Sequence, residues 1–162
     1  ARTVMARQWE NSKLRPRISG GAGMSSQKAA WQVAFQAEWA TLKQIGYGQS
    51  LLDLVKALEK VPHHLVAAAA VRLGYNLFVL RLSLAAYRLP RAVGIDGAYS
   101  RLVLATRGLT AGAGMATTEL RIILYEAVTY TQGRWPMIDI TLFIDDTTLE
   151  MSHASSLSLI HI

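Results

Sequence analysis

The run Ile140-Thr-Leu-Phe-Ile-Asp-Asp-Thr-Thr-Leu149 constrains this chain most. Ile140, Leu142 and Ile144 alternate with Thr141, Phe143 and Asp145, a period of two that predicts a strand with one apolar and one mixed face. Neighbouring strand residues point to opposite faces, so Asp145 and Asp146 serve one site only where the chain bends. A second β-rich run, Thr147-Thr-Leu-Glu-Met151, follows at once. The expectation is a tight hairpin with two carboxylates at its tip. Alone, such a pair is ordinary turn chemistry, because short acidic side chains hydrogen-bond their own backbone. A site needs a further acid brought to the same place.

Asp53 is the candidate. Gln49-Ser-Leu-Leu-Asp-Leu-Val55 reads as a strand with Leu51, Asp53 and Val55 on one face. A carboxylate on an apolar face is costly to bury unless it is paired or holds a metal. An exposed acid near a strand end is the other reading of the same pattern.

Around these strands the chain reads as alternating helices and turns. Arg2 to Lys13 suits a short helix stopped at Arg15-Pro16, and Gly20-Gly-Ala-Gly23 a loop. Ser25 or Ser26 can cap a helix to about Ile45, with Trp31, Phe35, Trp39 and Leu42 as an aromatic stripe expected to face the core. Pro62 opens a helix that Gly74 ends, and Asn76 caps the next, Leu77 to Arg88. The adjacent His63 and His64 lack ligand spacing and read as polar helix-start residues. Asp96-Gly97 joins two strands, residues 91–95 and 98–106. A glycine-rich loop, Arg107 to Gly114, opens a helix from about Met115 to Tyr130, and Thr131–Pro136 is expected as loop.

With 162 residues, 51% of them hydrophobic, the chain can bury one core and is not disordered. Arg72, Arg81 and Arg88 break its apolar runs below the roughly 18 residues of a membrane span. No signal-like segment opens it and it has no cysteine, which fits an intracellular protein, nuclear or cytoplasmic. The net charge is +6, and between Val61 and Thr118 six arginines (72, 81, 88, 91, 101 and 107) face one acid, Asp96. Such a surface suits a polyanion, and Arg88, Arg91 and Arg101 are the candidate nucleic-acid contacts. The start at Ala1 and the end at Leu159-Ile-His-Ile162 read as those of a piece of a longer protein.

At Leu52-Asp-Leu-Val-Lys-Ala-Leu-Glu-Lys-Val-Pro-His63 the chain resembles motif A of reverse transcriptases of non-LTR retroelements and group II introns, D-x-x-x-A-F-D-x-V-x-H. Asp53, Ala57, Val61 and His63 match that pattern. Gly97 and Ser100 fall on the family's V-x-G-x-x-S hairpin, Arg107-Gly108 and Gly112 on motif B, R-G-x-x-Q-G, and Phe143-Ile-Asp-Asp146 on motif C. Three motifs in order are specific where each alone is weak. The sequence departs from the pattern at Leu58, where the family has an aromatic residue, at Glu59 for an aspartate, and at Ala111 for the motif B glutamine.

The resemblance implies an α+β fold: a right-hand polymerase palm, an antiparallel sheet backed by helices, with part of the fingers. It implies a single partial domain, with a fingers-like segment 1–46, a palm 47–151 and a truncated end 152–162. The implied activity is RNA-directed DNA polymerisation by two Mg²⁺ ions, with Mn²⁺ as the substitute, held by Asp53, Asp145, Asp146 and the Leu54 carbonyl. Leu58, Arg107, Gly108, Ala111 and Gly112 are the implied substrate-binding positions. An RNA template, a DNA primer and dNTPs are the implied partners, with the thumb and flanking domains of a longer polyprotein. Without them the segment is expected to be inactive. The competing readings are a decayed or co-opted domain that only binds nucleic acid and a viral RNA-dependent RNA polymerase. Leu58 and Leu120 stand against the second, where its motifs carry aspartate and asparagine.

Overall fold

The computed structural model describes residues 2–15, 17–19 and 25–153. The expected glycine loop, residues 20–23, and residues 154–162 of the expected truncated end lie outside them. In chain order the elements are α1 (Arg2–Ser12), β1 (Ile18–Ser19), α2 (Ser26–Leu42), β2 (Gly46–Leu52), α3 (Ala57–Lys60), α4 (His63–Leu73), α5 (Leu77–Tyr87), β3 (Gly94–Ile95), β4 (Ala98–Tyr99), α6 (Ala116–Arg134), β5 (Asp139–Phe143) and β6 (Asp146–His153). They form two compact units, one of Lys13–Val55 with the chain from Leu124 onward, the other of the residues up to Ser12 with Lys56–Ile123.

The first unit is built on a four-stranded sheet in the order β1-β5-β6-β2. The expected all-antiparallel sheet is instead mixed, because the short β1 pairs parallel to β5, Ile18 opposite Leu142. The long pairings are antiparallel: β5 with β6 through a two-residue turn, and β2 with β6 over seven residue pairs, Gly46↔His153 to Leu52↔Thr147. Side chains alternate between faces. Ile18, Ile140 and Leu142 form the apolar face and pack with Val128 of α6, flanked by Leu124, Tyr125 and Leu149.

The opposite face is polar, and α2 lies across it. Glu150 is fully buried there and accepts hydrogen bonds from Arg17 Nη1 (3.3 Å), Tyr47 Oη (2.9 Å) and Thr141 Oγ1 (3.4 Å). Arg17 also pairs with Asp139 (3.2 Å), which accepts a bond from Gln36 Nε2 of α2 (3.0 Å). A buried carboxylate must be paired to be tolerated, and this one has three donors. Burial, then the Glu150 hydrogen bond and charge, push the Tyr47 phenol up to about 12.

This polar face explains where the aromatic stripe lies. Expected in the core, Trp31, Phe35, Trp39 and Leu42 are instead 70%, 56%, 50% and 77% exposed. Against the sheet α2 turns Ala29 and Ala40, small enough for a close approach. Helical spacing shows which residues share a face and says nothing of which face meets the core. Ser25 caps α2 as expected, but the helix ends at Leu42 and not Ile45, since Gln44 is already left-handed at φ 54°.

The second unit packs α1, α4, α5 and the first turns of α6 around Val66, Val79, Leu80, Tyr87, Leu120 and Ile122. Trp9 meets Tyr75 edge to face at 5.5 Å and donates to the Leu73 carbonyl (3.0 Å). The signalled caps form: Gly74 takes φ 68° after α4, and Asn76 accepts from the backbone N–H groups of Phe78 and Val79. Asp96 and Gly97, both at positive φ, make the expected hairpin turn, though β3 and β4 are only two residues each. The helix α6 runs four residues past its expected end, so Thr131–Arg134, read as loop, is helical.

Glu119 of α6 is fully buried and accepts a hydrogen bond from Tyr87 Oη (2.7 Å). Burial raises its carboxyl above the usual range, against the lowering effect of bonds from Tyr87 and Ser83. A raised folded pKa means the stabilising neutral form is fully present below the unfolded value and is lost as pH rises through the folded one. Glu119→Gln stays neutral throughout. Its denaturation midpoint is therefore expected to match the parent at pH 4 and to exceed it at pH 7. A substituted protein that gains nothing over the parent between pH 4 and pH 7 contradicts this.

Candidate functional site

The β2–β6 pairing runs out at Leu52↔Thr147, so Asp53 leaves β2 beside Asp146, the first residue of β6. Register and alternation put Gln49, Leu51 and Asp53 on the same face as Asp146 and Thr148, and as Thr141 and Phe143 of β5. These side chains, with Ala29, Ala30 and Val33 of α2 opposite, line an open groove of about 700 Å³. Asp53 and Asp146 both line it, and both are exposed.

Asp145 sits one residue away, in the two-residue turn between β5 and β6. The turn is strained: Ile144, its first residue, has φ 59°. A β-branched side chain rarely adopts a positive φ, and such residues persist at a cost of about 1–3 kcal/mol only where the surroundings hold them. Five β5–β6 pairs hold this one. Of the three sequence-predicted acids, the structure thus places Asp53 and Asp146 in one groove and Asp145 at the adjoining bend. Among the described residues no three His, Cys, Asp or Glu side chains form a group able to hold a metal ion. Two solvent-open carboxylates with no described ion pair are nonetheless a donor set that suits a hard divalent cation, whose remaining ligands are waters and substrate phosphate. Leu54 follows Asp53 outside the strand.

The predicted substrate-binding residues belong to the helical unit, where two loops are zipped together. Gly108 N–H donates to Val61 O (2.8 Å), Leu109 N–H to Leu58 O (2.7 Å), and Pro62 bridges to Arg107. His63, expected as a polar helix-start residue, is instead fully buried behind this seam. Arg88 Nε donates to its Nδ1 (3.2 Å), which leaves the proton on Nε2 to donate to Gly108 O (2.8 Å). The only hint in the sequence was its place in V-x-H, since burial of a lone histidine has no periodic signature. Arg88 therefore has a structural partner. So has Arg91, which donates to Tyr87 O and Thr110 Oγ1; Arg88 and Arg91 are nonetheless exposed, as are Arg101 and Arg107. Ala111 is exposed, and Gly112 follows it at φ 80°.

No family model and no curated protein sequence matches the chain. Solved structures do. The chain superposes on an apo telomerase from Candida tropicalis, truncated from its C-terminal domain, with a TM-score of 0.62 at 8% identity, covering 99% of this chain and 34% of that one. It superposes on a telomerase from Candida albicans, in complex with a fragment of telomeric RNA, with a TM-score of 0.68 at 10% identity, covering 99% and 31%. The chain thus has the fold of a part of these proteins and spans about a third of their length. Among its described residues no helix is long and apolar enough to cross a membrane.

The loop seam predicts different fates for two glycines. A Cβ on Gly108, at φ 93°, would lie 2.9 Å from the Glu59 carbonyl oxygen, whereas one on Gly112 meets nothing within 4 Å. Gly108→Ala is expected to cost about 2–3 kcal/mol in urea unfolding and Gly112→Ala about 1. Equal costs would show that the seam does not hold as described.

Proposed function

We propose that this chain is the palm portion of an RNA-directed DNA polymerase, of the kind found in non-LTR retroelements and group II introns. Support comes from Asp53 and Asp146, which end neighbouring strands on one face of one groove with Asp145 in the adjoining turn. The telomerase fold, that of a reverse-transcriptase-related enzyme, supports it independently of the motifs.

In this reading Asp53, Asp145 and Asp146, with the Leu54 carbonyl, would hold two Mg²⁺ ions, whose chemistry there would be to lower the pKa of a primer 3′-hydroxyl and to offset the charge of the triphosphate and leaving pyrophosphate. The chain's own part is to present carboxylates at a strained, well-anchored turn, so that little reorganisation accompanies reaction. Leu58 takes the place of the aromatic residue that packs against the nucleotide sugar, and Arg107 to Gly112 the nucleotide-side loop. RNA template and DNA primer are the partners, and the basic surface supplies phosphate contacts that weaken as salt rises.

A second reading, a polymerase-like domain that binds nucleic acid without catalysis, draws on Leu58, on Ala111 and on the absence of a three-acid group among the described residues. One experiment separates them: primer extension on an RNA template by the longer polypeptide carrying this chain, beside Asp53→Asn and Asp145→Asn. Extension by the parent, reduced roughly a hundredfold or more by either substitution, is expected. Template binding without extension, equal in all three proteins, favours the second reading.

A further inference from the structure

The outward face of α2 is built from rings. Trp31, Phe35 and Trp39 recur every fourth residue and Leu42 closes the row, all at least half exposed on a helix whose other side meets the sheet. One helical turn of about 5.4 Å separates successive members, so the rings form a ladder. Phe35 and Trp39 are stacked, with centroids 6.3 Å apart and planes 22° from parallel. Lys43 lies over the Trp39 ring at 4.8 Å. Lys28 precedes Trp31 by three residues and shares its face; so does Glu38, the one acid on the helix, three residues after Phe35. A stable soluble surface does not spend two tryptophans and a phenylalanine on water, so such a patch marks an interaction site.

We propose that this face is a stacking platform for single-stranded nucleic acid. Ring faces in a row accept successive bases whatever their sequence, while lysines at either end of the row meet the phosphates. The charge balance selects this occupant. A second copy of the chain would set Lys28 and Lys43 against a face with the same excess of lysines over its single acid, Glu38, in a chain whose net charge is already +6. A backbone of phosphates complements them. The platform lies on the side of α2 away from the groove of Asp53 and Asp146, so binding there requires neither metal nor catalysis.

The test is tryptophan fluorescence of the chain with EDTA present, titrated with a twelve-residue oligothymidylate and with an abasic phosphodiester of equal length. Stacking predicts quenching by the oligothymidylate and little by the abasic strand. Phe35→Leu and Trp39→Leu sit on an exposed face, so circular dichroism is expected to be unchanged. Each is expected to weaken oligothymidylate binding roughly tenfold or more, since a stacked base contributes on the order of a tenfold to a hundredfold in affinity. Equal quenching by both strands, or unchanged affinity in both variants, overturns the proposal. So does a dimer in sedimentation that dissociates on Trp39→Leu, because the face then belongs to a second copy. Since no nucleotide is turned over, loss of primer extension in the Asp145→Asn protein leaves this result untouched, and the two claims fail separately.

Discussion

Everything at the candidate site depends on the pairing of β2 with β6. Seven consecutive antiparallel pairs carry the end of β2 to the turn after β5, and only in that register do Asp53 and Asp146 share a face. A slip of one residue sends every side chain of β2 to the opposite face. The register is pinned by Glu150, opposite Gln49 on β2 and Asp139 on β5. Its buried carboxylate draws in Arg17, Tyr47 and Thr141, and Arg17 and Gln36 extend the network to Asp139. A one-residue slip of β2 turns Tyr47 away from that buried carboxylate and removes one of its three donors, a loss of about 1–3 kcal/mol. A polar network at the centre of one sheet face thus specifies the position of acids at its edge.

The same network determines what α2 does. Against a sheet face carrying Thr141, Thr148 and Glu150 the helix docks through alanines and Gln36 and leaves its rings outside. One helix therefore serves two surfaces. Its inner side walls the groove that holds the two carboxylates, and its outer side carries the ring ladder.

What the sequence disclosed, and what it withheld, follow from the range of each signal. Local chemistry was legible: Ser25, Asn76 and Gly74 cap their helices where their side chains or φ preferences require, and Asp96-Gly97 turns the chain. The alternation of residues 140–144 marked the strand and its apolar face, and motif order joined Asp53 to the acidic hairpin across nearly a hundred residues. Long-range pairing was not legible. Nothing local to Ile18 predicts a parallel partner, so the sheet's mixed character was hidden. Nor does an amphipathic period name its neighbour, which is why periodicity alone puts the stripe of α2 in the core. The burial of His63 is hidden for the same reason, since it depends on Gly108 and Arg88, remote in sequence.

The register of β2 against β6 is the claim on which the site stands, and a chain without cysteine makes it directly measurable. Paired cysteines can be placed at Leu52/Thr147, at Leu51/Thr148, and at the slipped combination Leu52/Thr148, then oxidised and scored by mass. Adjacent antiparallel pairs alternate between wide and narrow Cα separations, and a disulfide closes across the narrow one. The account predicts that at least one in-register pair closes in high yield and that the slipped pair does not. Closure of the slipped pair, with both in-register pairs reduced, would place Asp53 on the other face of the sheet from Asp146 and remove the site.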